Sequence, residues 1–345
     1  MNSDTFKAAI EARLKEWLET KQRDAVTNEA RVMLERAEQL VLRAGKRSRP
    51  ALLQLTYQAY GGKDSAQLID IGLALELHHQ FLLVHDDIMD NDTVRYDGPN
   101  ITGYYKKDFA SKAPEIPADM ALLAGNLLFT FACQAILGHE ALSSDQKVAL
   151  LSLLQETNIG VHAGQQLDIV NIFALDPAIT KEKLLLTDFL KTALYSINLP
   201  MQAAAELLQL DPQERERIAF FAKSFGVFYQ LVDDHSDYFS SASSFNDHPK
   251  YRDYRQGKIT YPLLVAFEKA NTTEQTFLRE YIGHKEVLGS IVDKVVAILE
   301  DCGAKTASKQ LIEDYFHQAK TALDTLHIDE KAKQQFTALL EKYQV

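Results

Sequence analysis

Residues 81–90 read FLLVHDDIMD and residues 227–237 read VFYQLVDDHSD. Each stretch runs from apolar side chains into the pattern Asp-Asp-x-x-Asp: Asp86, Asp87 and Asp90 in the first, then Asp233, Asp234 and Asp237, 147 residues further along. On a helix, Asp86 and Asp90, or Asp233 and Asp237, stand one turn apart on a common face, and the middle Asp of each motif points about 100° away. Carboxylates held so close repel one another unless a cation lies between them. Mg²⁺, which prefers oxygen and binds through one or two carboxylates together with substrate phosphate, suits that demand. A solvated surface face would tolerate one such motif. The repeat argues for chemistry, and so does the placement of the first copy where NDTVRYDGPN ends the helix. Acids at a helix C-terminus oppose the macrodipole, and a local penalty without structural return marks function. The expectation is a metal-dependent enzyme acting on a diphosphate.

The rest of the chain supports an all-α fold. Gly contributes 15 and Pro 9 of 345 residues, too few for an architecture of strands and turns. In FKAAIEARLKEWLETKQ, Phe6, Ile10, Leu14 and Leu18 recur at every fourth residue, an apolar stripe along a polar helix. Turn chemistry gathers at 61–65, from Gly98 to Pro117, at 175–180 and at 240–250. None of these is a Gly/Ser linker, so one helical domain over residues 1–345 is expected.

No run of eighteen apolar residues and no signal-peptide pattern occurs, so a cytoplasmic protein without stable membrane insertion is expected. Lys and Arg number 37 against 48 Asp and Glu, a formal net charge of −11. That disfavours nucleic acid as a partner, because binding a phosphate backbone needs a basic face. Cys133 and Cys302 lack CxxC spacing and read as buried free thiols. Against this acidic background LRAGKRSRP at 42–50 concentrates Arg43, Lys46, Arg47 and Arg49. It is either a solvated turn or a clamp whose guanidiniums fork onto phosphate oxygens.

Six motifs follow one another in the order GKRSRP (45–50), DDIMD (86–90), GQQLD (164–168), KTALYS (191–196), DDHSD (233–237) and GKIT (257–260). In this order the chain resembles the trans-isoprenyl diphosphate synthases, and among them the short-chain geranylgeranyl and farnesyl diphosphate synthases. The resemblance runs from about residue 40 to 265. It implies a bundle of mostly antiparallel helices around a deep apolar pocket, the isoprenoid synthase fold, usually as a homodimer. It also implies Mg²⁺-dependent condensation of isopentenyl diphosphate with an allylic diphosphate to a C15 or C20 product, with three Mg²⁺ ions. Under the resemblance Asp86 and Asp90 would bind two ions and Asp233 the third. Asp87, Asp234 and Asp237 would complete the metal sites by holding water or orienting ligands. Arg95, Lys191 and Lys258 would contact the allylic diphosphate, and Lys46 and Arg49 isopentenyl diphosphate. Thr192 and Gln230 would turn oxygens toward the developing cation, while Gln165 and Asp168 complete the polar rim. Phe81, five residues before the first motif, would close the floor of the pocket; read by itself it is also a core aromatic.

The chain departs from the family pattern in places. Tyr96 in RYDGPN stands where the family usually has a second Arg, a charge that Lys106 or Lys107 could replace. Asn126 in AGNLL stands where Gly-Asp is common, and residues 99–120 form a longer connection than usual. HPKYRDY leaves Lys250 as the only match to a Gly-Lys element. Three rival readings follow from the residues: a class I terpene cyclase, a non-catalytic subunit of a prenyl diphosphate synthase, and an HD-type phosphohydrolase suggested by His85-Asp86. The acidic second motif and the basic GKRSRP oppose the first. Six retained aspartates oppose the second. The third needs further His ligands, whereas His78 and His79 read as packing residues.

Overall fold

Side-chain oxygens open helix after helix. Asn2, Thr27, Thr180, Asp211, Asn271 and Asp329 each accept a backbone N–H from the first turn that follows, satisfying donors that a helix start leaves unpaired. A computed structural model describes residues 1–43, 45–109, 113–173, 179–240, 251–284, 286 and 289–344. In chain order it contains α1 (Ser3–Arg23), α2 (Asn28–Val41), α3 (Ser48–Ala59), a 3-10 turn (Ser65–Leu68) and α4 (Ile69–Met89). A hairpin of β1 (Val94–Arg95) and β2 (Gly98–Pro99) precedes α5 (Ile101–Phe109), α6 (Ile116–Leu137), α7 (Ser144–Phe173) and α8 (Lys181–Asp188). A π-helical stretch (Phe189–Asn198) leads into α9 (Leu199–Leu207) and α10 (Pro212–Phe239). The remaining helices are α11 (Arg252–Gln256), α12 (Tyr261–Lys269), α13 (Thr272–Tyr281), α14 (Ser290–Asp301), α15 (Ala304–Asp324) and α16 (Glu330–Glu341). The all-α expectation holds among the described residues, whose strands are two residues each.

These elements group into two compact units, Met1–Leu153 with Ala203–Gln209, and Leu154–Gln202 with Leu210–Val345. In the first, α4 packs chiefly against α6 and is flanked by α1, α3 and α5. Its residues from Ile71 to Phe81 are buried without a break, as befits a helix enclosed on every side. The α1 stripe of Phe6, Ile10, Leu14 and Leu18 is buried, as its spacing requires. In the second unit, α10 packs on α15 and on the π-helical stretch. A core of Tyr238, Tyr254, Leu263, Leu278, Val295 and Leu299 supports the end of α10 that carries the second acidic motif.

Two local expectations change. The stretch from Gly98 to Pro117, read as turn, contains α5. Asn100 caps it by accepting the Gly103 N–H at 2.8 Å, and Ile101 and Tyr105 bury one face where α5 packs on α6. Both cysteines are free but only half-buried. Among the described residues α6 is the one helix long and apolar enough to cross a membrane by length and composition, although Asp119, Asn126 and Gln134 interrupt its apolar residues.

Candidate active site

The first acidic motif closes α4. The Asp90 N–H donates to the Asp86 carbonyl at 2.8 Å, so the one-turn relation between these two carboxylates is kept through the residue that caps the helix. Asp86 remains partly open, whereas Asp87, pointing inward as the helical rotation requires, is 2% exposed. Arg95, on β1, donates Nε–H and Nη2–H to Asp87 Oδ1 at 2.8 and 2.6 Å and stands 3.5 Å from Asp86 Oδ2. Burial pushes the Asp87 carboxyl up to about 6, with Arg95 and Asn100 pulling the other way. For Arg95, burial opposes the charge, and the Asp87 carboxylate more than offsets it, so the group is held above its ordinary value.

Four basic residues lie before or in the first turn of α3, and the fold sorts them. Arg47, in a left-handed conformation at φ +50°, is buried. It donates to Glu76 Oε2 at 2.9 Å and to the Val41 carbonyl at 2.8 Å, so it ties α3 to α4. Arg43 also turns inward, onto the hairpin. Lys46 is exposed and Arg49 half-buried. His79, read from sequence as packing, is buried. Burial first, then the positive charges of Arg49 and Arg95, hold it well below the ordinary His range. A neutral imidazole offers one N–H donor, which a phosphate oxygen can accept. The signal lay in its spacing: seven residues before Asp86 is nearly two full helical turns, hence the same face of α4. Phe81 is 3% exposed, with its ring 5.1 Å from Phe129, 4.6 Å from His85 and 5.9 Å from His78. Tyr96 is half-buried in the hairpin turn, while Asn126, Lys106 and Lys107 are exposed.

In the second unit Asp168 of α7 receives Lys191 Nζ at 2.5 Å, with Lys258 Nζ at 3.9 Å from the same oxygen. Gly164 makes the approach of Lys191 possible, because a Cβ there would lie 2.7 Å from the Leu190 carbonyl carbon and collide with the Lys191 amide. The π-helical stretch carries Lys191 and the half-buried Thr192, and such widened turns recur at functional sites. On α10, the Gln230 amide donates to Asp234 Oδ1 at 2.7 Å. Asp237 accepts the Arg252 and Asp253 N–H groups at 3.1 and 3.3 Å. It thereby anchors the start of α11, the short helix that ends at the segment presenting Lys258. Asp233 and Gln165 are half-buried. Lys250 lies outside the described residues.

Burial and neighbouring carboxylates act together here. Asp234 is driven well above the carboxylate range by burial and by Asp188 and Asp253. Burial, then Asp168 and Asp253, raise Asp188 to about 8, and burial with Asp253 raises Asp237 to about 7. Asp188 and Asp253 were not singled out in the sequence. Asp188 stands three residues before Lys191, one turn away on a helix, which is the spacing that could have flagged it.

The donors at both motifs are carboxylate oxygens, the hard ligands that Mg²⁺ takes. Asp87 Oδ2 and Asp188 Oδ2 are buried without a hydrogen-bond partner, a state that a cation or a proton relieves. Among the described residues no three His, Cys, Asp or Glu side chains converge as a ready-made metal site. Protein alone would therefore fill part of a coordination shell, leaving positions for water and phosphate oxygens, as Mg²⁺ sites commonly do. The residues fit Mg²⁺.

A family model described as polyprenyl synthetase matches residues 30–299. The short chain isoprenyl diphosphate synthase of Methanothermobacter thermautotrophicus is 28% identical over 85% of this chain and 84% of its own length. The geranylgeranyl diphosphate synthase of Methanosarcina mazei is 26% identical over 83% and 82%. Among solved structures, geranylgeranyl pyrophosphate synthase from Corynebacterium glutamicum, complexed with isoprenyl diphosphate and magnesium, superposes with a TM-score of 0.90 at 22% identity. It covers 100% of this chain and 99% of that one.

Proposed function

Because the chain belongs to the polyprenyl synthetase family, we propose that it is a short-chain trans-prenyltransferase that joins isopentenyl diphosphate to an allylic diphosphate. The observation that carries this reading is the pair of acidic motifs, one set against a buried guanidinium and one crowded with carboxylates that ask for a cation. Asp86, Asp90 and Asp233 hold Mg²⁺, three ions in all, while Asp87, Asp234 and Asp237 orient ligands or the elements that present them. Bound Mg²⁺ stabilises negative charge on the departing diphosphate. Lys191, Lys258 and Arg95 bind the allylic diphosphate, and release of Lys191 from Asp168 makes its charge available. Lys46 and Arg49, joined by neutral His79, hold isopentenyl diphosphate. Thr192 and Gln230 face the cation left when the allylic C–O bond breaks, and Gln165 and Asp168 line the rim. The isopentenyl double bond then attacks that carbon, and the proton lost goes to the released diphosphate.

The whole chain works as one domain, in the cytoplasm and without membrane insertion. It pairs as a homodimer through α6, whose Leu122, Leu123 and Leu137 are about half exposed on a strongly apolar helix. Light scattering should give twice the chain mass, and Leu123→Glu should shift it toward the monomer.

Incubation of purified protein with Mg²⁺, radiolabelled isopentenyl diphosphate and C5, C10 or C15 allylic diphosphates tests the reading. Asp86→Ala or Asp233→Ala should lower turnover by roughly a hundredfold or more, the scale of losing a metal ligand's transition-state stabilisation. Wild-type protein that neither elongates nor hydrolyses any of these substrates defeats the proposal. Product length, C15 or C20, is set by Phe81 at the pocket floor. Phe81→Ala should give longer products and lose about 3–5 kcal/mol of stability without substrate. An unchanged distribution from folded variant would move the floor to Leu82 or His78.

A further inference from the structure

Arg43 has no place in the chemistry above, yet its side chain is committed. Its guanidinium donates Nη1–H to the Arg95 carbonyl at 2.8 Å, and Nη2–H to the Pro99 carbonyl at 2.7 Å and the Tyr104 hydroxyl at 2.9 Å. Those two carbonyls flank the hairpin turn. Val94 pairs with Pro99 and Arg95 with Gly98, which leaves Tyr96 and Asp97 as a two-residue loop at φ +53° and +59°. A loop with both residues left-handed is normally written Asn-Gly, and a bulky Tyr there is disfavoured by its own Cβ. Something must hold it. Gly98 admits the guanidinium, since a Cβ at that position would lie 2.9 Å from Arg43 Cζ.

The strained loop begins at Arg95, whose buried guanidinium lies on Asp87 and near Asp86. We propose that Arg43 is a positioning residue: by bridging the Arg95 and Pro99 carbonyls it holds the left-handed Tyr96-Asp97 turn that sets Arg95 against the first acidic motif. Only a guanidinium has a fixed fork of N–H donors that reaches all three acceptors, whereas a Lys ammonium is a point donor. The link to turnover rests on the proposed prenyltransferase reading; the link to the turn does not.

Two readouts separate them. In Arg43→Gln and Arg43→Lys, hydrogen exchange across residues 94–100 should accelerate by roughly tenfold or more, because the turn opens locally. KM for the allylic diphosphate should rise roughly tenfold with kcat changed less than about threefold, the pattern of lost binding rather than lost chemistry. Tyr96→Asn with Asp97→Gly, which writes the turn in its preferred residues, should restore both values when added to Arg43→Gln. Unchanged exchange in the single variants overturns the proposal. So does restored exchange with KM still high, which would mean that Arg43 meets the diphosphate itself. If Arg43→Gln fails to fold, the variant with the rewritten turn must fold, and its failure to do so also overturns it. Wild-type protein without prenyltransferase activity would remove the proposed function and leave the exchange result to judge the turn.

Discussion

The two acidic motifs share a spacing and differ in how their charge is balanced. At the first, Asp87 is buried against Arg95, with charge and countercharge supplied by the same unit. At the second, burial and then neighbouring carboxylates hold Asp188, Asp234 and Asp237 above the ordinary carboxylate range, and Lys191 and Lys258 of this unit stand against Asp168. In the first motif the buried middle carboxylate is paired within the protein. In the second, burial and like charge both disfavour the ionised forms of Asp234 and Asp237, which a bound cation would favour.

Arg95→Gln should break this contrast most severely. It leaves Asp87 buried without its cation, which costs about 3–5 kcal/mol, measurable by denaturant unfolding. Asp188→Asn removes a member of the like-charged group and should leave metal-free stability unchanged or higher. If Asp188→Asn proves the more damaging of the two, the comparison is wrong.

The pH dependence sharpens it. Asp237 at about 7 and Asp188 at about 8 lie above the ordinary carboxylate value, so the folded state binds more protons than the unfolded chain between about pH 4 and pH 8. Their contribution to stability is therefore complete at the acid end of that window and is lost as pH rises through 7 and 8. Thermal unfolding without metal should show the loss, and Asp188→Asn should flatten it. Mg²⁺ with inorganic pyrophosphate should raise Tm more at pH 8 than at pH 6, since at the lower pH protons compete for the same oxygens. A stabilisation independent of pH would mean that these carboxyls are not what the cation meets.

Lys191→Gln should have the smallest effect on folding. It removes a partly exposed pair with Asp168, worth less than about 1 kcal/mol, and Lys258 already stands near the same oxygen. The consequence should appear in KM for the allylic diphosphate. A large loss of stability would make Lys191 a structural member of the second unit.

Local chemistry was legible in the sequence where it depends on local spacing. The period of four in α1, the low Gly and Pro content and the end of α4 at the first motif all follow from helical geometry. So does the division of each motif into partly open outer carboxylates and a buried middle one, since successive residues rotate by a fixed angle. Lys191 and Lys258 were reached instead through the resemblance of their motifs to a family, not through spacing. Helical geometry did not reach His79, which is held below the ordinary His range by burial first and then by Arg49 and Arg95, both distant in sequence. Nor did it reach Asp188 and Asp253, which matter because they share one buried neighbourhood with Asp234.

By itself, then, the sequence determined the helical class, the two carboxylate motifs and the oxygen chemistry they call for, because these rest on residue type and on spacings within a few turns. Tertiary structure alone decided which charges are compensated. Arg43, Arg47 and Arg49 look alike in a run of nine residues, yet one grips a strained turn, one is sealed against Glu76 and one lies beside His79. Desolvation and the arrival of partners from far along the chain set those fates, and neither is written in local spacing.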